Sequence, residues 1–173
     1  MNVTVTREFD ARVSSSDHLV QCQKQVEIGR HPFQETTEWR KEGLPLSTTS
    51  NEAAKMFDAS LTQVIAHLED DSVGGLEGSV TRMLEADPDF VMGHVLATEL
   101  QIKSSMDVIQ SLAAKKNLTD REKLHVDAVK EWSAGNLTKA QDIWDDIVVE
   151  YPTDIFALKM LTEYSIFLVQ RTG

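Results

Sequence analysis

At 173 residues, with 41% hydrophobic and 26% charged residues, the chain is long enough to bury one sizeable core and too apolar to default to disorder. Its formal net charge of −11 and pI near 4.8 argue against nucleic acid or an anionic membrane surface as partner, because phosphate-rich ligands are held mostly by Lys and Arg. Cys22 has no second cysteine to pair with, so the expected setting is a reducing one, the cytoplasm.

The start, MNVTVTREFDARV, lacks the basic stretch followed by an apolar run that a secretory leader needs. Residues 1–38 sustain neither a period of 2 nor one of 3.6, and His31-Pro32 interrupts them, so they are read as a disordered leader before a helical domain over 39–173. Gly43 to Ser50 then supplies a turn and several N-cap candidates, among which Thr49 and Glu52 have capping-box spacing. Ala53, Met56, Phe57, Leu61, Val64, Ile65 and Leu68 follow on one helical stripe, which predicts a helix over about 50–69. A polar turn at Glu69–Ser72 and a second stripe through Leu76, Val80, Met83 and Leu84 complete a hairpin over about 50–86.

A second hairpin is expected over 88–116. Its first helix begins near Asp87-Pro88, where proline suits a first turn, and its second lies around Met106, Ile109 and Leu112. The third hairpin, 119–151, opens on the capping box Thr119-Asp120-Arg121-Glu122, breaks at Gly135-Asn136 and stops at Tyr151-Pro152. A last helix over 153–170 has no partner helix after it. Its most apolar run, Ile155 to Val169, is interrupted by Lys159 and Glu163 and falls short of the roughly 20 apolar residues that span a bilayer.

Arg121 to Asp154 is 34 residues long, the length of one tetratricopeptide unit. Within it Ala128 and Ala140 are small where two helices must approach, Gly135 ends the first helix, Trp144 fills a bulky core position and Pro152 closes the unit. Asp127 and Glu131 depart from the apolar residues usual at their positions, and Asp87-Pro88 lies 64 residues before Pro152, four short of two standard units. The expected fold is therefore all-α, an array of tetratricopeptide-like helical hairpins that is degenerate in spacing.

Several stretches are more specific: LPLSTTSNEAAKMFDASLTQ (44–63), GGLEG (74–78), ADPDFVMGH (86–94), REKLHVDAV (121–129), GNLTKAQDIWDDI (135–147) and YPTDIFALK (151–159). Together they resemble the tetratricopeptide repeat protein 38 family. The resemblance implies a helical-repeat protein, and it carries no catalytic residues over. The stretch 99–118 is shorter than its counterpart, and the chain stops at Arg171-Thr172-Gly173 where the family continues, so the array is expected to be C-terminally incomplete.

Each candidate for chemistry has a plainer account. Glu122 and His125 share a helical face at the E-x-x-H spacing of carboxylate-bridged metal sites, but Glu122 already has a capping role, so no metal is expected. Gly74-Gly75-Leu76-Glu77-Gly78 lacks the lysine of a phosphate-cradling loop, and Glu77 would repel an anion; it is read as a tight turn. Ser, His and Asp occur without a nucleophile-elbow motif, so no catalytic residue is assigned and no cofactor is expected. Asn2, Asn117 and Asn136 head glycosylation sequons that matter only in the secretory pathway. Trp132 and Trp144 are read as core packing, and His94, in an apolar helix, as a core or groove histidine.

The expected function is that of a protein-interaction module or scaffold binding a protein or peptide, with helix 153–170 offering a surface for self-association. The alternative is a fragment of an enzyme, or of an enzyme subunit, whose active site lies in further repeats.

Overall fold

The computed structural model describes residues 32–102 and 104–171, of which 164–171 are described by backbone alone. Among these residues there are eight α-helices, one short 3-10 turn and no strand, so the described chain is all-helical. No helix among them is long and apolar enough to cross a membrane.

Among the described residues, helix begins earlier than periodicity predicts. Helix α1, Thr36–Lys41, reaches back into the stretch assigned to the leader, with Glu38 accepting from the Glu35 amide at 3.2 Å. Glu35 in turn takes Lys55 at 2.7 Å and the Asn51 side-chain amide at 3.0 Å, and Trp39 is buried. The 1–38 boundary is thereby corrected, because the short helix is fixed by polar contacts with the next helix that no local period reveals. The rest of the proposed leader, residues 1–31, lies outside the described residues.

Helix α2 spans Asn51–Ala66. Its N-cap is Ser50, whose hydroxyl accepts from the Ala53 amide at 3.1 Å, and not Thr49. It ends where His67 turns left-handed at φ 51°, three residues before the expected stop. A 3-10 turn, Asp71–Val73, leads into α3, Gly75–Ala86. Gly78 is required there: a β-carbon on it would lie 2.7 Å from the Val73 carbonyl oxygen, inside any tolerable contact. Hydrogen bonds buried between the two helices fix the hairpin, since Ser60 Oγ meets Ser79 Oγ at 2.9 Å and Gln63 Nε2 donates to Ser79 Oγ at 3.1 Å. Each buried polar atom so paired avoids a desolvation penalty of about 1–3 kcal/mol.

Helix α4, Val91–Glu99, starts three residues after Pro88, which lies in the preceding turn and not in the first helical turn. Residues 91–97 are all buried, as expected of a helix surrounded by others. Helix α5 is Met106–Ala113, α6 is Asp120–Ser133, α7 is Leu137–Glu150 and α8 is Ile155–Arg171. The capping box is present at α6, where Glu122 accepts from the Thr119 amide at 2.9 Å and Thr119 Oγ1 from the Glu122 amide at 3.2 Å. From α2 onward every helix packs on the one before it, and α4 also packs on α6.

Ala128, Ala140 and Trp144 are completely buried where α6 and α7 meet the core, and Gly135 adopts a left-handed φ of 81° between those helices. Pro152 lies in the turn from α7 to α8. Phe57 on α2 sits at the centre of an aromatic cluster, 5.4 Å from Trp39, 5.5 Å from Phe90 and 6.2 Å from Phe156 between ring centroids. The beginning of α8 is thus brought against α2.

Candidate functional site

The packing of α8 on the same core as α2 leaves a half-open cavity of about 750 Å³, within the size range of ligand pockets. Its lining comes from the C-terminal ends of α2, α4 and α6, the first turns of α3 and α7, and one face of α8. Leu68, Leu76, Leu96, Leu100, Leu137 and Met160 make it mostly apolar, with Trp132 and Phe156 as aromatic walls. Leu68, 63% exposed, marks where it opens to water.

Among these apolar groups stands one anomalous side chain. Glu99, the last residue of α4, lines the cavity with both carboxyl oxygens buried and without a hydrogen-bond partner. Burial pushes its carboxyl well above the usual carboxylate range, and Glu163 and Asp154 push the same way against the opposing pull of Lys159. Lys159 also lines the cavity, but its ammonium is bonded to Glu163 one turn further along α8. Glu99 is thus held as a neutral acid up to a higher pH than an ordinary carboxyl, in a low-polarity hollow.

The wall behind it is braced by a second buried cluster. Asp154, just before α8, accepts from Arg121 Nη1 at 2.8 Å and His125 Nε2 at 2.9 Å through one oxygen, and from the Phe156 and Ala157 amides at 3.1 and 3.0 Å through the other. Burial alone would raise its carboxyl, but His125, Arg121 and the Ala157 amide outweigh burial and hold it far below the usual carboxylate range. The His125 ring stacks on Phe156 at 5.0 Å. Glu122 meanwhile accepts from the Ser47 amide at 2.8 Å, and Arg121 donates to the Pro45 carbonyl at 3.5 Å, so α6 also holds the loop before α2. Four of the donors to Asp154 and Glu122 come from outside the α6 capping turn, which is the behaviour of a structural clamp. Among the described residues no group of three or more His, Cys, Asp or Glu could hold a metal ion. No protein-family model and no solved structure matches the chain.

The residues singled out by sequence fare unevenly. Glu122 and His125 do share a face, but each is engaged in the clamp. His94 does not line the cavity: Pro88 O lies 2.8 Å from Nε2 and Ser104 Oγ 2.9 Å from Nδ1. A carbonyl can only accept, so Nε2 carries the proton and, in the neutral ring, Nδ1 accepts from the serine. His94 is thus a buried histidine, in keeping with the core side of its reading, and it ties the turn before α4 to the segment after it. Trp144 is core, as read, and Trp132, half-buried against that core, also lines the cavity. Glu99 was not a sequence candidate. Its one signal is position: a carboxylate that ends a short, mostly apolar helix has few directions in which to find water.

Proposed function

We propose that the chain is a helical-repeat binding module of the tetratricopeptide kind, related to the tetratricopeptide repeat protein 38 family, and that its cavity-bearing face holds a protein or peptide partner. The observation that carries this reading is the lining of the cavity. Residues of α2, α4, α6 and α8, the leading helices of successive hairpins, contribute most of it, as leading helices line the groove of a repeat array. The 34-residue span from Arg121 to Asp154 and the full burial of Ala128, Ala140 and Trp144 support the same assignment.

A second reading, a fragment of an enzyme, is favoured by Glu99, since a carboxyl kept protonated in a cavity is a common form of general acid. Glu99 has no hydrogen-bonded partner that could act as its base, so binding is the better-supported role.

The test is affinity capture with three purified forms of the chain: wild type, Leu68→Glu at the mouth of the cavity, and Val149→Glu on α7, a 77% exposed residue away from it. One protein captured by wild type and Val149→Glu, lost with Leu68→Glu, and bound directly after purification supports the module. Capture that ignores Leu68 argues against this face.

A further inference from the structure

We propose that the cavity is a small-molecule site for an amphipathic organic amine, with the ammonium on the Glu99 carboxylate and the apolar body against Leu68, Leu76, Leu96, Trp132 and Phe156. This goes beyond the partner reading and does not depend on it.

The size and polarity of the hollow define the class. A volume of about 750 Å³ with mainly aliphatic and aromatic lining suits a drug-sized apolar body, whose burial there is favourable. A plain hydrocarbon would leave one defect, the carboxyl of Glu99 with no donor to either oxygen. A ligand bearing its own donor removes that defect and gains a charge-assisted bond in a water-poor setting. The flexible stem of Glu99 lines the cavity, so the carboxyl can turn to meet it.

The sign of the ligand charge follows from the neighbours. Among the described residues, three carboxyls, Glu69, Glu99 and Glu163, line the cavity with His67 and one ammonium, Lys159, which is bonded to Glu163. An anionic ligand could take one hydrogen bond from the neutral Glu99 carboxyl, but it would face Glu69 and Glu163 in the same hollow, where the Lys159 ammonium is already bonded to Glu163. A cation instead draws Glu99 into its ionised form, and the proton it releases goes to solvent. The chain as a whole, at −11, favours the approach of a cation.

The experiment titrates the full chain with 1-octylamine, 1-octanol and octanoate, following the indole NH signal of Trp132 by NMR. The amine is expected to bind at least roughly tenfold tighter than the alcohol, with octanoate weakest, because a charged hydrogen bond is worth about 1.5–3 kcal/mol. In Glu99→Gln the amine and the alcohol should become equal within a few-fold, while alcohol binding persists. Leu68→Glu should weaken the alcohol by disturbing the apolar wall. Equal binding of all three probes by wild type, an amine preference that survives in Glu99→Gln, or no binding by a folded chain would each overturn the proposal. Binding of a Leu/Lys peptide without binding of octylamine would also overturn it, since the site would then recognise a polypeptide surface. Failure of the capture experiment touches none of these results.

Discussion

Arg121 and Asp154, 33 residues apart, meet at 2.8 Å with both side chains only 2% exposed. That contact joins the first turn of α6 to the start of α8 and so helps to set one wall of the cavity. Removal of one member strands the charge of the other in the core, at a cost of about 3–5 kcal/mol, whereas apolar replacement of both avoids the stranded ion.

We therefore expect Asp154→Asn to lower the unfolding free energy by about 3–5 kcal/mol in urea melts, and Arg121→Met with Asp154→Leu to recover a large part of it. Because the folded carboxyl is depressed, its contribution is complete above the ordinary carboxylate pKa of about 4 and is lost as pH falls from there towards the folded value. Wild type should thus lose stability on acidification below pH ~4 more steeply than the double variant. Parallel acid melts of the two would count against the clamp.

Glu99 has the opposite sign. Its folded carboxyl is raised, so the unfolded chain ionises first and folding stability falls as pH climbs from about 4.5 up to the raised folded value. Glu99→Gln removes that loss, and its melting temperature should exceed wild type at pH 7.5 while the two converge near pH 4. A variant less stable than wild type at pH 7.5 would mean that the carboxylate has a partner after all.

Ala140 is completely buried in the α6/α7 hairpin, where a larger side chain cannot be housed without moving backbone. Ala140→Trp should cost about 1–3 kcal/mol or more, seen as an earlier thermal transition by circular dichroism. An unshifted transition would show that the crossing has room to spare.

Helix α8 buries Phe156, Ala157 and Met160 but leaves Ile155 43% and Leu158 46% exposed on its outer side. Those two residues give the helix a modest apolar outer patch, and we expect concentration-dependent association at tens of micromolar in sedimentation equilibrium. Leu158→Glu should shift the chain towards monomer. A wild-type monomer at the same concentration would remove α8 as a self-association surface.

Local information fixed much of the helix layout. Stripes at helical spacing mark α2, α3 and α7, and the Thr119–Glu122 box marks the start of α6, because caps and amphipathic faces depend on residues within one or two turns. Where bounds moved, a nearby competitor prevailed: Ser50 displaced Thr49 as cap, His67 ended α2 in a left-handed turn, and Pro88 stayed in the turn before α4.

The candidate site was legible only in part. Trp132 packs against the core, as its spacing predicts, and it also lines the cavity, because at the end of α6 the direction towards the cavity is decided by α2, α4 and α8 together. His94 was noticed for its apolar setting, yet its partners Pro88 and Ser104 lie on either side of α4 and turn it away from the cavity.

The sequence by itself determined the helical class, the hairpin order and the small residues that let α6 and α7 approach, since these follow from period, caps and side-chain size. The tertiary structure alone decided that Asp154 would be clamped by Arg121 and His125, and that Glu99 would be buried without a partner. The reason is physical: a carboxyl's state is set by the dielectric, the donors and the charges around it, and for Glu99 the charges come from as far as 64 residues along the chain, at Glu163.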